Sequence, residues 1–240
     1  MSRTRLALLD ASHEGSQTRR NFRRELDADL VEFGCQSGDL PETFAFDGAV
    51  VTGSRASVYW DEPWIAETKA WVADAVDAGL PFLGVCWGHQ LLADVLGGEV
   101  EHMGEYEIGY RTVRQAADTR LFDGIDEAFT VFVTHQDRVT ELPPGATKIA
   151  ANEYGVHGFR KGRVFAVQFH PEYDTETAET VASGKDLPDP KMRRVLDGIT
   201  EENYRASCEA KRLFDNFLEY VDETSADVPA NRGTSAAADD

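Results

Sequence analysis

Leu80-Pro81-Phe82-Leu83-Gly84-Val85-Cys86-Trp87-Gly88-His89-Gln90, running on into Leu91-Leu92-Ala93-Asp94-Val95-Leu96-Gly97-Gly98, decides the fold. The apolar run Leu80 to Leu83 reads as a short buried strand. Leu91 to Leu96 reads as a helix stopped by the glycine pair. One cysteine therefore sits at a strand-to-helix turn with Gly84 and Gly88 on either side, a G-x-nucleophile-x-G pattern with sulfur in place of the hydroxyl. A turn this sharp needs backbone angles that a β-carbon resists. A thiol there lies at a helix N-terminus, where the dipole favours thiolate. Taken alone, the pattern fits a buried structural cysteine equally well.

Working outward, Arg5 to Asp10 reads as a first strand and Ala11 to Gln17 as a polar loop. The apolar positions between Thr18 and Phe33 predict a helix stopped by Gly34. Arg19, Arg20, Arg23 and Arg24 on it read as a solvated face paired with Glu25, Asp27 and Asp29. Asp47 to Ser54 reads as a buried strand running into a loop, and Trp60 to Ala78 as a helix with Pro63 in its first turn. The order β-α-β-α-β-α predicts an α/β fold: a doubly wound, mostly parallel sheet with helices on both faces. Sites in such sheets lie at the carboxyl ends of strands, where Gly53 and Cys86 fall. Beyond Gly98, short alternating runs at 99–103, 110–113, 129–134, 148–150 and 164–169 predict a strand-rich extension. Glu201 to Glu223 reads as one long amphipathic helix. A single domain over 1–224 is expected, with a disordered acidic tail over 225–240.

Composition limits the function classes. The 240 residues carry a net charge of −19, which repels nucleic acid and anionic membranes. Acids are spread along the whole chain, a pattern that fits adaptation to high salt. No apolar run approaches the roughly eighteen residues of a membrane span, and no signal peptide is read at the N-terminus. Three scattered cysteines, Cys35, Cys86 and Cys208, do not form a disulfide framework or a zinc site. A cytoplasmic location is expected.

A nucleophilic thiol needs a base, and the base needs an orienting group. Of six histidines, His13, His89, His102 and His157 have no acid at a suggestive spacing. His170 ends the apolar run Val164 to Phe169 and is followed by Pro171-Glu172. Alternation puts 170 and 172 on one side of an extended segment, and Pro171 keeps His170 out of the helical region. Glu172 can then fix the His170 tautomer, so Cys86, His170 and Glu172 supply the three roles of a triad.

Gly84-Val85-Cys86-Trp87-Gly88-His89-Gln90 followed by Gln168-Phe169-His170-Pro171-Glu172 resembles the class I glutamine amidotransferases, the cysteine-triad glutaminases. The resemblance implies a flavodoxin-like fold, with Cys86 as nucleophile, His170 as base and Glu172 as its partner. It implies an oxyanion hole from the N–H groups of Gly53 and Trp87, and a glutamine-binding role for Gln90. Thr134-His135-Gln136-Asp137-Arg138-Val139-Thr140-Glu141-Leu142-Pro143 is similar to the S-H-x-D-x-V-x-x-L-P segment of GMP synthetase glutaminases, which makes His135, Gln136 and Asp137 substrate-loop candidates. His135 as a strand-end residue bonded to its neighbours fits equally well. The implied reaction hydrolyses glutamine, with no cofactor and no metal, and hands ammonia to a synthetase partner. The alternatives are a stand-alone γ-glutamyl hydrolase or peptidase, and a non-catalytic regulatory protein on the same fold. Val51-Thr52-Gly53-Ser54-Arg55-Ala56 departs from the G-G-P oxyanion loop of GMP synthetases, and no ATP-binding loop motif appears.

Overall fold

The computed structural model describes residues 3–13 and 16–226. The sheet contains β1 (Arg5–Asp10), β2 (Asp29–Gly34), β3 (Gly48–Val51), β4 (Phe82–Val85), β5 (Glu99–Gln115), β6 (Ala128–Glu141), β7 (Thr147–Asn152), β8 (Gly155–Lys161) and β9 (Val164–Val167). Their spatial order is β2-β1-β3-β4-β9-β8-β7-β5-β6. The first five run parallel, and the rest continue the sheet as an antiparallel wing. This is the doubly wound α/β architecture expected from the sequence. The helices are α1 (Ser16–Glu25), α2 (Pro63–Asp77), α3 (Trp87–Val95), α4 (Thr175–Ser183), α5 (Asp189–Asp197), α6 (Glu201–Ser207) and α7 (Arg212–Ala226).

Alternation along the parallel strands divides the core in two. Leu6, Leu8, Leu83, Val85 and Val167 pack with Phe22 of α1 and with Leu213, Phe214 and Phe217 of α7. Ala7, Leu9, Val51, Phe82 and Ala166 face the other way, onto Ile65 and Val72 of α2 and Leu91 of α3. No helix among the described residues is long and apolar enough to cross a membrane.

Three sequence expectations are corrected. The helix predicted over 18–33 ends at Glu25, and Asp29 to Gly34 is the edge strand β2. Leu30, Val31 and Phe33 pair in parallel register with β1, so tertiary pairing overrides a helical spacing that happened to continue. The helix predicted from Trp60 begins at Pro63, where the missing N–H costs nothing, and Trp60 is exposed. The long C-terminal helix is broken by a short 3-10 segment at Cys208–Lys211. The arginines of α1 also pair more widely than expected. Arg19 reaches Asp10 on β1, Arg23 reaches Glu32 on β2, and Arg20 and Arg24 reach Asp174. The expected tail lies outside the described residues apart from its first two positions, Ser225 and Ala226, which end α7.

Candidate active site

Cys86 caps the N-terminus of α3 with φ 55° and ψ −102°, and it has the only positive φ of any non-glycine among the described residues. Such a conformation costs on the order of 1–3 kcal/mol and persists only where packing enforces it. The enforcement is visible on both sides. A β-carbon on Gly84 would lie 2.5 Å from the Gly88 carbonyl oxygen, and one on Gly88 would strike the Val51 carbonyl. Helix α3 thus presses against β3 and β4 closely enough that only glycine fits at both positions. The Cys86 N–H is held by the Val167 carbonyl at 2.8 Å, continuing the β4–β9 ladder past its last residue.

His170 follows β9, and its N–H donates to the Phe132 carbonyl at 2.8 Å. Its ring stacks on Tyr173 with centroids 4.1 Å apart. Its Nδ1 lies 2.8 Å from Glu172 Oε1, with both side chains almost wholly buried. Burial alone would depress this imidazole. The charge of the Cys86 sulfur and of Glu172, with hydrogen bonds to both, reverses that and raises its pKa to about 10. Arg24 of α1 donates to the Glu172 carbonyl oxygen at 2.5 Å, anchoring the segment that carries the acid.

Gly53 closes the constellation. A β-carbon there would sit 3.0 Å from His170 Cε1 and 3.9 Å from Cys86 Sγ, so glycine leaves the space above the sulfur open. The Trp87 N–H is one of the orphan donors that open a helix.

The residues expected around the substrate are placed differently from one another. His135, Gln136 and Asp137 lie within β6, not in a loop. The Asp137 carboxylate accepts from Ser57 Oγ at 2.5 Å and Tyr59 OH at 3.0 Å. The Gln90 amide donates to the Asp137 carbonyl at 3.0 Å and to Gln168 Oε1 at 3.1 Å. His135 is engaged at both nitrogens, by the Asp137 carbonyl at 2.9 Å and Glu107 Oε2 at 2.8 Å. All three residues, with Gln136, line a small cavity of about 30 Å³ that reaches Cys86. A larger cavity of about 140 Å³ opens on the other side of the sulfur, bounded by Gly53, His170, Tyr173, Thr180 and Lys185.

Behind β6 lies a buried cluster that the sequence did not single out. Glu107 accepts from His135, from His157 at 3.1 Å and from Asn152 at 2.6 Å. Burial would raise the Glu107 carboxyl, but the two imidazoles outweigh it and draw the pKa down to about 2. Potential ligand atoms of Glu107, His135 and His157 lie within 4.8 Å of one another, yet each faces a hydrogen-bonding partner in that cluster. Glu107 is one of four glutamates on β5 and carried no signal of its own; its histidine partners are 28 and 50 residues away. Cys35 is buried, which pushes its thiol up to about 12 and marks it as a packing residue.

A strained cysteine elbow at the carboxyl edge of a parallel sheet, abutted by a buried histidine–glutamate pair, defines an enzyme-like class of α/β protein. The chain belongs to the class I glutamine amidotransferases: residues 12–183 match the family described as Glutamine amidotransferase class-I. It is 38% identical over 148 residues to a glutamine-hydrolysing GMP synthase of Burkholderia mallei, and 40% identical over 141 residues to that of Burkholderia vietnamiensis. Those matches cover 57% and 54% of this chain, but only 26% and 25% of the relatives, so the chain spans about a quarter of their length. In fold it is similar to a glutamine amidotransferase of Thermotoga maritima, with TM-score 0.77 and 24% identity over 91% of this chain and 100% of the other. It is also similar to a putative GMP synthase subunit from Thermoplasma acidophilum, with TM-score 0.67 and 20% identity over 95% and 100% of the two chains.

Proposed function

We propose that this chain hydrolyses the side-chain amide of glutamine through a Cys86–His170–Glu172 triad. The observation that carries it is the strained Cys86 elbow lying against a His170 whose far nitrogen is held by Glu172. The Cys86 thiolate attacks the γ-carbonyl carbon, and the oxygen gathers negative charge. The N–H groups of Gly53 and Trp87 receive that charge, each worth roughly 3 kcal/mol of barrier. The C–N bond then breaks as the His170 imidazolium gives its proton to the departing nitrogen, leaving a thioester. Neutral His170 next takes a proton from water, and the hydroxide displaces sulfur. Glutamate leaves, and the thiolate–imidazolium pair is restored. The chemistry needs neither a metal nor an organic cofactor.

The glutamine-hydrolysing GMP synthases among the relatives support glutamine as donor and a synthetase as the ammonia acceptor. The alternative reading is hydrolysis of a γ-glutamyl amide, whose leaving group would occupy the cavity of about 140 Å³ beside His170. The free cysteines suit a reducing compartment such as the cytoplasm. Cys86→Ala tests the triad: glutamate release from glutamine and from γ-glutamyl amides should vanish while the fold is kept. Activity persisting in that variant would refute the assignment.

A further inference from the structure

Lys185 follows α4 and borders both cavities at Cys86, as does Arg55 from the loop after Gly53. The Lys185 ammonium lies 5.3 Å above the Tyr106 ring. Arg55 abuts the end of the same helix, with Nη2 4.0 Å from where a β-carbon on Gly184 would stand. Neither cation has a carboxylate partner among the described residues. Lys69, Lys191 and Lys211 reach a carboxylate, while Lys148 and Lys161, like Lys185, have none among the described residues. Lys185 is half-buried, and its burial depresses its pKa, so the fold bears a cost to keep this ammonium beside the nucleophile.

We infer that Lys185 and Arg55 form an anion subsite for a carboxylate on the leaving half of the substrate, making the preferred donor a γ-glutamyl amide of an amino acid. This rests on the triad reading above and names its substrate class. Three features point to the leaving half. The larger cavity lies on the side of His170, the group that protonates the departing nitrogen. The segment that delivers Lys185 also supplies Thr180 and Val181 to that cavity's wall. The smaller cavity, which both cations also border, is walled by Gln90, His135 and Asp137, whose polar atoms are engaged with one another.

Two measurements test it. The first compares kcat/KM for γ-glutamylglycine and γ-glutamylethylamide, which differ by the leaving-group carboxylate, in the wild type, Lys185→Met and Lys185→Arg. The wild type should prefer the glycine compound by about tenfold or more, as expected for a charge-assisted bond. Lys185→Met should erase the preference, and Lys185→Arg should restore most of it. The second compares alkylation of Cys86 by iodoacetate and by iodoacetamide, read by mass spectrometry, which needs no turnover. Relative to the ratio for free cysteine, the anionic reagent should be favoured in the wild type and lose its advantage in Lys185→Met. Absence of both preferences in the wild type, or ratios unmoved by Lys185→Met, would overturn the subsite. Discrimination between glutamine and its α-amide in place of the glycine pair would move the anion to the acyl half and overturn the assignment. A retained iodoacetate advantage in a wild type that hydrolyses none of these amides would uphold the subsite and reject the triad reading.

Discussion

Asp137 accepts a hydrogen bond from Ser57 Oγ at 2.5 Å, which ties the interior of β6 to the loop that follows Gly53. Tyr59 adds a second bond to the same carboxylate. Gly53 is the proposed oxyanion donor, so this clamp bears on its position. Asp137→Ala should leave the buried Ser57 hydroxyl without its acceptor and lower stability by roughly 1–3 kcal/mol. It should also lower kcat more than it raises KM. Denaturant unfolding and steady-state kinetics on one preparation check both. An unchanged kcat in a destabilised variant would reduce Asp137 to a folding role.

Glu172→Gln removes one of the two charges that hold the His170 proton. The imidazolium is the resting form below about pH 10, and in the proposed mechanism it supplies the proton to the leaving nitrogen. In the wild type, kcat/KM should therefore fall only as pH rises through about 10. In Glu172→Gln that alkaline limb should move to lower pH, and kcat should fall by on the order of 10²-fold or more. A pH–rate profile that keeps its alkaline limb in the variant would count against the His170–Glu172 coupling.

The fold should weaken steadily in acid. His89 is buried and held neutral, with burial drawing its pKa down to about 3, and burial lowers His157 as well. A histidine depressed in the folded state takes up its proton earlier when unfolded, so stability falls below about pH 6.5 and continues to fall toward 3. Glu107, depressed to about 2, stabilises the fold above its unfolded value of 4.5, and that contribution is lost as pH drops toward 2. The slope should reach about 1.4 kcal/mol per pH unit for each extra proton bound on unfolding. Urea denaturation between pH 7 and 4 reads it directly. Glu107→Ala, which leaves buried imidazole N–H groups without an acceptor, should cost about 1–3 kcal/mol at neutral pH.

High salt should raise the melting temperature. The net charge of −19 sets scattered surface carboxylates against one another, and screening relieves that repulsion. Several surface ion pairs, such as Arg120 with Glu223, would weaken in salt, but exposed pairs contribute little. A melting series in potassium chloride tests the balance, and full stability at low ionic strength would remove the case for salt adaptation.

The parts of the site legible in the sequence were those in which chemistry and chain geometry coincide locally. The elbow needs its glycines within two residues of Cys86, and His170-Pro171-Glu172 places acid and base on one extended segment. What stayed hidden depended on partners far along the chain. Glu107, His135 and His157 meet only through the antiparallel pairing of β5 with β6 and the wing that follows. His135 was open between a substrate-loop residue, as the resemblance implies, and a strand-end residue bonded to its neighbours; β6 carries it inside a strand, bonded to Asp137 and Glu107. Lys185 gave no signal, since a lone lysine in a polar stretch means nothing until α4 is seen to close over Cys86. Edge strand β2 was hidden for a related reason: Leu30, Val31 and Phe33 suit a helix face as well as a strand, and only β1 decides between them.

Cys86 follows β4 and its N–H closes onto Val167 of the neighbouring β9, with Val85 opposite Val167. His170 lies three residues past β9 and is pinned by its bridge to Phe132 of β6, so sheet pairing on both sides sets their separation. Slipping that register by a single residue would move His170 by about 3.3 Å and reverse the faces of β9, which the core forbids. Heat should therefore silence this active site and melt its sheet in a single event, with no inactive but folded stage between them.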